Sequence, residues 1–141
     1  MSGMRQDFSH VAVTVPRSCL QGAPRARLLQ FYERVFGWSE NERLGIAGER
    51  IFVRAPTDRQ YLTVRASDAP MKTSGYEHLG VLVDTPEDVR TLHERASAEA
   101  ARDTEVEVGD VRVLYGGHLH TFRVRYLLPL TIEVQCLVDA P

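Results

Sequence analysis

Valines at 11, 13 and 15 alternate with His10, Ala12 and Thr14, the period of a half-buried strand, so Phe8–Val15 reads as a first strand that Pro16 ends. A loop punctuated by Gly22 and Pro24 follows, and from Arg25 to Phe36 the residues Leu28, Leu29, Tyr32, Val35 and Phe36 recur at helical spacing. Gly37 stops that helix. Three strands are expected next, over Trp38–Ile46, Arg50–Ala55 and Gln60–Ala66, with Gly45, Gly48 and the APTD stretch between them. After the polar link SDAPMKTSG the order repeats. Tyr76–Asp84 alternates as a strand, and Thr85-Pro86-Glu87-Asp88 is a helix start with a capping Thr, Pro in the first turn and acids at the positive end. Val89, Leu92, His93 and Ala96 form the buried stripe of a helix running to about Ala101, with His93 as a structural residue at the core boundary. Strands over Glu105–Tyr115, His120–Leu127 and Leu130–Val138 complete the second half.

The duplication is visible in letters as well as in period. HVAVTV at 10–15 matches HLGVLV at 78–83, and YLTVRA at 61–66 matches TIEVQC at 131–136, at offsets of 68 and 70. These matches cover the first and last strands of each half, so two βαβββ modules, 8–66 and 76–138, are expected within a single 1–141 domain.

A chain of 141 residues, 43% hydrophobic and 26% charged, has the size and composition of one globular domain. Seventeen basic and nineteen acidic residues leave a net charge of −2, which argues against a general nucleic-acid binder. No apolar run reaches the roughly eighteen residues a membrane span needs, and MSGMRQDFSH lacks the apolar stretch of an export signal, so a cytoplasmic protein is expected. Cys19 and Cys136 then read as free thiols, with Cys136 packed in the core. Lys72 is the one lysine against sixteen arginines. Either a biased base composition or an arginine-lined anion site explains that.

Paired βαβββ modules with a histidine in the first strand of each half resemble the vicinal oxygen chelate superfamily, which includes glyoxalase I, bleomycin resistance proteins, fosfomycin resistance enzymes and extradiol dioxygenases. The resemblance runs from Phe8 to Val138. It implies an α+β fold whose two modules form curved, cup-shaped mixed sheets with the helices outside. It also implies a divalent metal (Fe, Mn, Ni or Zn) held in the cup by the first and last strands of each module, here His10, Thr63, His78 and Glu133. Thr63 stands where the four-ligand glyoxalase pattern has a carboxylate or amide. The remaining set, His10, His78 and Glu133, is similar to the three-ligand pattern of the fosfomycin resistance enzymes and extradiol dioxygenases. YLLPLTIEVQ also lacks the Asp-Pro-Asp-Gly type of turn that many members carry before the final glutamate strand.

Strand parity bears on the same residues. If the valines of the first strand, Leu79, Val81 and Val83 of the fifth, and Ile132, Val134 and Cys136 of the last face helices, then His10, His78 and Glu133 lie on the opposite faces. Two imidazoles and a carboxylate leave open positions on a hard or borderline ion. A carboxylate between Ile132 and Val134 needs a positive partner, which a metal, an arginine or a histidine can supply. Tyr61 and Arg65 share the face of Thr63 as candidate substrate-binding residues. For the seventh-numbered strand both parities stay open: one turns Thr121, Arg123 and Arg125 inward as an anion clamp, the other His120 and Tyr126 as acid or base beside Glu133. His118 and His120 share one side of a strand without a third metal partner and read as a loop-exposed pair.

Two functions follow. One is a metal-dependent enzyme that chelates two oxygens of a small substrate by lyase, dioxygenase or transferase chemistry. The other is a metal-free sequestering protein of the bleomycin-resistance kind, with Tyr61, Phe52 and Trp38 as aromatic walls. Either takes a small-molecule ligand and neither a nucleic acid nor a membrane as partner. Two short modules and an apolar Leu127–Leu130 loop in need of cover lead us to expect a homodimer.

Overall fold

Three strands whose buried residues alternate make up most of the first sheet: β1 (His10–Val15), β3 (Arg50–Arg54) and β4 (Tyr61–Ala66). The computed structural model of the chain describes residues 3–57 and 59–139. Of these, 3–33 and 37–70 form one unit and 34–36 and 71–139 another.

In the first unit the order is β1-β4-β3-β2, with β2 reduced to Ser39–Glu40. β1 runs parallel to β4 in the register His10 to Tyr61, whereas β3 is antiparallel to both β4 and β2. The parallel pair requires a crossover, which the chain through α1 (Gly22–Phe36) provides. One face buries Val13, Val15, Ile51, Val53, Leu62, Val64 and Ala66. The other carries His10, Phe52, Tyr61, Thr63 and Arg65.

α1 starts three residues before the apolar periodicity does. Pro24 sits in its first turn, where the missing N–H would have had no helical acceptor. It ends on Gly37, at φ 72°, whose N–H meets the carbonyls of Glu33 and Tyr32. The expected strand over Trp38–Ile46 is mostly absent. Past Glu40 the chain turns through a 3-10 segment, Glu42–Leu44, where the Asn41 side chain accepts the Arg43 N–H. Trp38 is 7% exposed and stacks on Tyr32 at 5.5 Å, so it is a core residue and not a ligand wall.

The second unit holds the sheet β5-β9-β8-β6, with β7 also paired to β8. β5 (His78–Leu82) and β9 (Thr131–Leu137) are parallel; β8 (Leu119–Arg125) is antiparallel to β9. α2 (Pro86–Ala100) packs against β8, β9 and β6, burying Val89 and Ala96. Its start is a full capping box: Thr85 accepts the Asp88 N–H and Asp88 accepts the Thr85 N–H. His93 bonds the Gly109 carbonyl at 3.0 Å and meets the Phe122 ring edge-on. The single strand expected over Glu105–Tyr115 is two short ones, β6 (Glu107–Val108) and β7 (Arg112–Leu114), separated at Gly109-Asp110-Val111. The Leu127–Leu130 loop needs no outside cover, since Leu128 and Leu130 are already buried within the chain. Cys136 lies in the core. Among the described residues no helix is long and apolar enough to cross a membrane. The architecture is thus α+β, with two helices and two mixed sheets of four and five strands.

Candidate functional site

β9 places Glu133 between two core residues, Ile132 and Val134, yet turns its carboxylate to the opposite face of the sheet. Parallel pairing sets Gly80 beside it on β5, and antiparallel pairing sets Arg123 beside it on β8. From the same face of β5, His78 reaches diagonally across to the carboxylate. Glu133 is only 7% exposed, and three groups compensate its burial. Thr121 Oγ1 donates to Oε1 at 3.0 Å, His78 Nε2 lies 2.9 Å from Oε2, and an Arg123 guanidinium nitrogen lies 3.6 Å from the same oxygen.

The His78 ring has one forced feature. Its Nδ1 is 2.7 Å from the Tyr76 carbonyl, which only accepts, so Nδ1 carries a proton and donates it there. In the neutral ring Nε2 is then a lone pair facing a carboxylate oxygen. Two such atoms 2.9 Å apart require something positive between them, either a shared proton or a cation. Bonds of about 2.0–2.2 Å to a shared ion at right angles place ligand atoms about 3 Å apart. The pair therefore fits a divalent ion, and the Nδ1–H to carbonyl bond is the orienting contact that a metal-bound histidine normally has.

His10 belongs to the first unit. Its ring stacks on Tyr61 at 4.6 Å with planes 1° apart, and Tyr61 stacks in turn on Phe52 at 4.3 Å. Ser9 Oγ meets its Nδ1 at 2.7 Å, which leaves Nε2 as the ring's uncommitted nitrogen. Thr63 and Arg65 follow Tyr61 on the same face of β4. Among the described residues no three His, Cys, Asp or Glu side chains gather into a metal-binding group; the second unit brings together two candidate ligands, His78 and Glu133.

The seventh-numbered strand of the sequence reading is β8, and its parity is now decided. Thr121 and Arg123 lie on the Glu133 face, and Arg125 shares it by alternation. His120 registers with Cys136 on the helix-covered side, so it is not brought to Glu133. Tyr126, buried, donates its hydroxyl to Asp103 at 2.6 Å and ties β8 to the segment after α2. Neither takes the acid or base position beside Glu133 that the other parity would have given it. His118 does not pair with His120; its Nδ1 donates to the Val138 carbonyl at 2.9 Å. Sequence reasoning did not find Ser9 or the Tyr76 carbonyl. Their proximity to His10 and His78 is the only signal, and a backbone acceptor leaves none in residue type. Just before β5, the Glu77 carboxyl is held below the usual carboxylate range by its own backbone N–H and by the Ser74 hydroxyl, which donates at 2.8 Å.

Residues 19–117, more than half of the chain, match the family model of the Glyoxalase/Bleomycin resistance protein/Dioxygenase superfamily. The chain belongs to this superfamily. Among curated proteins no sequence match is found. Solved structures of the same fold include the fosfomycin resistance protein FosX of Listeria monocytogenes, complexed with Mn(II) and 1S,2S-dihydroxypropylphosphonic acid, at 17% identity and a TM-score of 0.66 over 93% of this chain and 90% of that one. FosX of Mesorhizobium loti is similar at 14% identity and a TM-score of 0.66, over 96% and 95% of the two chains. A possible glyoxalase from Bacillus cereus reaches 20% identity and a TM-score of 0.64, over 94% and 100%. Superfamily membership thus rests on the family match, and the structural likeness shows the shared fold.

Proposed function

We propose that this protein is a divalent-metal-dependent enzyme acting on a small oxygen-rich substrate, with His78, Glu133 and His10 holding the ion. The observation that carries the proposal is the His78 Nε2 to Glu133 Oε2 separation of 2.9 Å in a ring whose Nδ1–H is already committed to Tyr76. Mn(II) in the Listeria FosX complex is consistent with an ion of this class. Two imidazoles and one carboxylate suit Fe, Mn, Ni or Zn and leave coordination positions for two substrate oxygens. When bound, the ion supplies Lewis-acid stabilisation of negative charge developing on a substrate oxygen. The chain's own residues orient and compensate. Tyr76 fixes the His78 ring, Thr121 fixes one carboxylate oxygen, and Arg123 offsets the charge of the other. Ser9 and Tyr61 hold the His10 ring in one plane. Tyr61, Thr63, Arg65, Arg123 and Arg125 are the side chains offered to substrate. His10 belongs to the same chain or to a second copy in a homodimer.

Calorimetric titration of Mn²⁺, Fe²⁺, Ni²⁺ and Zn²⁺ into protein without a polyhistidine tag tests the reading. At least one ion should bind the wild type, and His10→Ala and Glu133→Gln should each weaken it by about tenfold or more, the loss that removal of even an orienting partner causes. If no ion binds the wild type more tightly than these variants, the metal site fails and a metal-free small-molecule binder replaces it.

A further inference from the structure

On the face of the second sheet that carries Glu133, arginines outnumber the acids that would neutralise them. Arg123 lies beside Glu133 by register. Arg112 of β7 pairs with Thr121, which puts it on the same face and diagonal to Arg123. Arg125 shares the face and lies across from Glu107 of β6. Among the described residues neither Arg112 nor Arg125 makes a hydrogen bond or an ion pair with protein. Arg123 approaches Glu133 only at 3.6 Å, beyond ordinary hydrogen-bond length, and its side chain is 43% exposed. Its five N–H donors are therefore largely unspent.

Like charges at diagonal positions of an antiparallel pair repel, and long side chains at that spacing reach one another. A ladder that sets Arg112 diagonal to Arg123, next to a buried carboxylate already served by Thr121 and His78, has positive charge to spare. Three arginines face two carboxylates here, so a divalent ion held by one carboxylate and neutral imidazoles would leave the face more positive still. Planar guanidinium groups match the paired oxygens of a carboxylate or phosphoryl group, which an isolated point charge does not.

We infer that the small molecule taken by this site carries an oxyanion, a carboxylate or a phosphoryl-type group, which Arg123 and Arg112 anchor while its neighbouring oxygens reach the reacting centre. The inference rests on the proposed metal site for where the reacting atoms lie, but the anion subsite is built from β7 and β8 and stands without the ion.

The probe is inorganic phosphate, with propane-1,2-diol as the uncharged comparison, titrated into chelator-treated and Mn²⁺-supplemented protein. Phosphate should bind the chelator-treated wild type and the diol should not. Arg123→Gln and Arg112→Gln should each weaken phosphate about ten- to hundredfold, as loss of a charge-assisted hydrogen bond does. Arg90→Gln, on α2, should leave it unchanged. Arg112→Gln keeps the test sound if Arg123→Gln upsets the fold through Glu133. The inference is overturned if phosphate does not bind the wild type, if neither β7 nor β8 variant changes its affinity, or if the diol binds as tightly. Arginine-dependent phosphate binding without any divalent-ion binding would uphold the anion subsite and remove the metal reading. Ion binding without phosphate binding would do the reverse.

Discussion

Glu133 is expensive to bury, and its neighbours show how the expense is met. Among the described residues Thr121 is the hydroxyl donor to the carboxylate, at 3.0 Å. Replacing it by valine keeps the shape and removes the hydroxyl, leaving an oxygen of a nearly buried charge without that partner. A hydrogen bond to a charged group contributes about 1.5–3 kcal/mol. Thr121→Val should therefore lower stability by about that amount in equilibrium urea unfolding at neutral pH. An unchanged midpoint would mean that water or Arg123 replaces the hydroxyl. Arg123 carries less weight for stability, because its side chain is 43% exposed and solvent screens it.

Secondary elements hold the site by their ends. The α2 capping box satisfies two backbone donors at Thr85 and Asp88, and α2 in turn covers the apolar face of β8 and β9. Thr85→Ala should cost about 1 kcal/mol, read as a fall of a few degrees in the thermal midpoint. Ahead of β5, the Ser74 N–H and hydroxyl both donate to Glu77, and the carboxyl's range is depressed. A depressed carboxyl adds stability that is whole above its unfolded pKa and lost as pH falls through the folded value. Glu77→Gln should consequently lower stability above the usual carboxylate range and flatten the acid limb, the difference from wild type vanishing at low pH. An unaltered acid limb would show that the turn forms without the charge.

At the scale of the molecule, each sheet ends at its module's first strand: β1 pairs with β4 alone and β5 with β9 alone among the described residues. Such strands carry backbone groups on one side that a neighbour can use. Leu82 of β5 and Leu137 of β9 are also strongly exposed. We expect a homodimer, measured by light scattering at micromolar concentration, and a monomeric mass throughout that range would refute it. Mixing His10→Ala with Glu133→Gln subunits then separates two arrangements. If each site draws its ligands from two copies, the mixture should regain some metal binding that neither variant has alone. If each site lies within one chain, it should regain none.

The order of strands and helices was legible along the chain because β1 and β9 alternate cleanly, the halves repeat, and the second helix announces its start with Thr85-Pro86. Where that local signal was weak, the reading erred: Pro24 concealed the true start of α1, and Trp38–Ile46 held enough apolar residues to imitate a strand while Asn41 turned the chain. The histidines and Glu133 were nameable as candidates from the resemblance to the superfamily, and strand parity supported them, since a charged residue inside an apolar alternation faces away from the core. Parity on β8 was different. Phe122, Val124 and Tyr126 are apolar enough for a core, and Thr121, Arg123 and Arg125 polar enough for either solvent or a site, so both faces remained open in the letters alone. Only the register of β8 against β9 decided it, by setting Arg123 beside Glu133 and His120 beside Cys136. The tautomer of His78 lay further still from the sequence, because it depends on the Tyr76 carbonyl, and a backbone oxygen acquires direction only when the strand is folded.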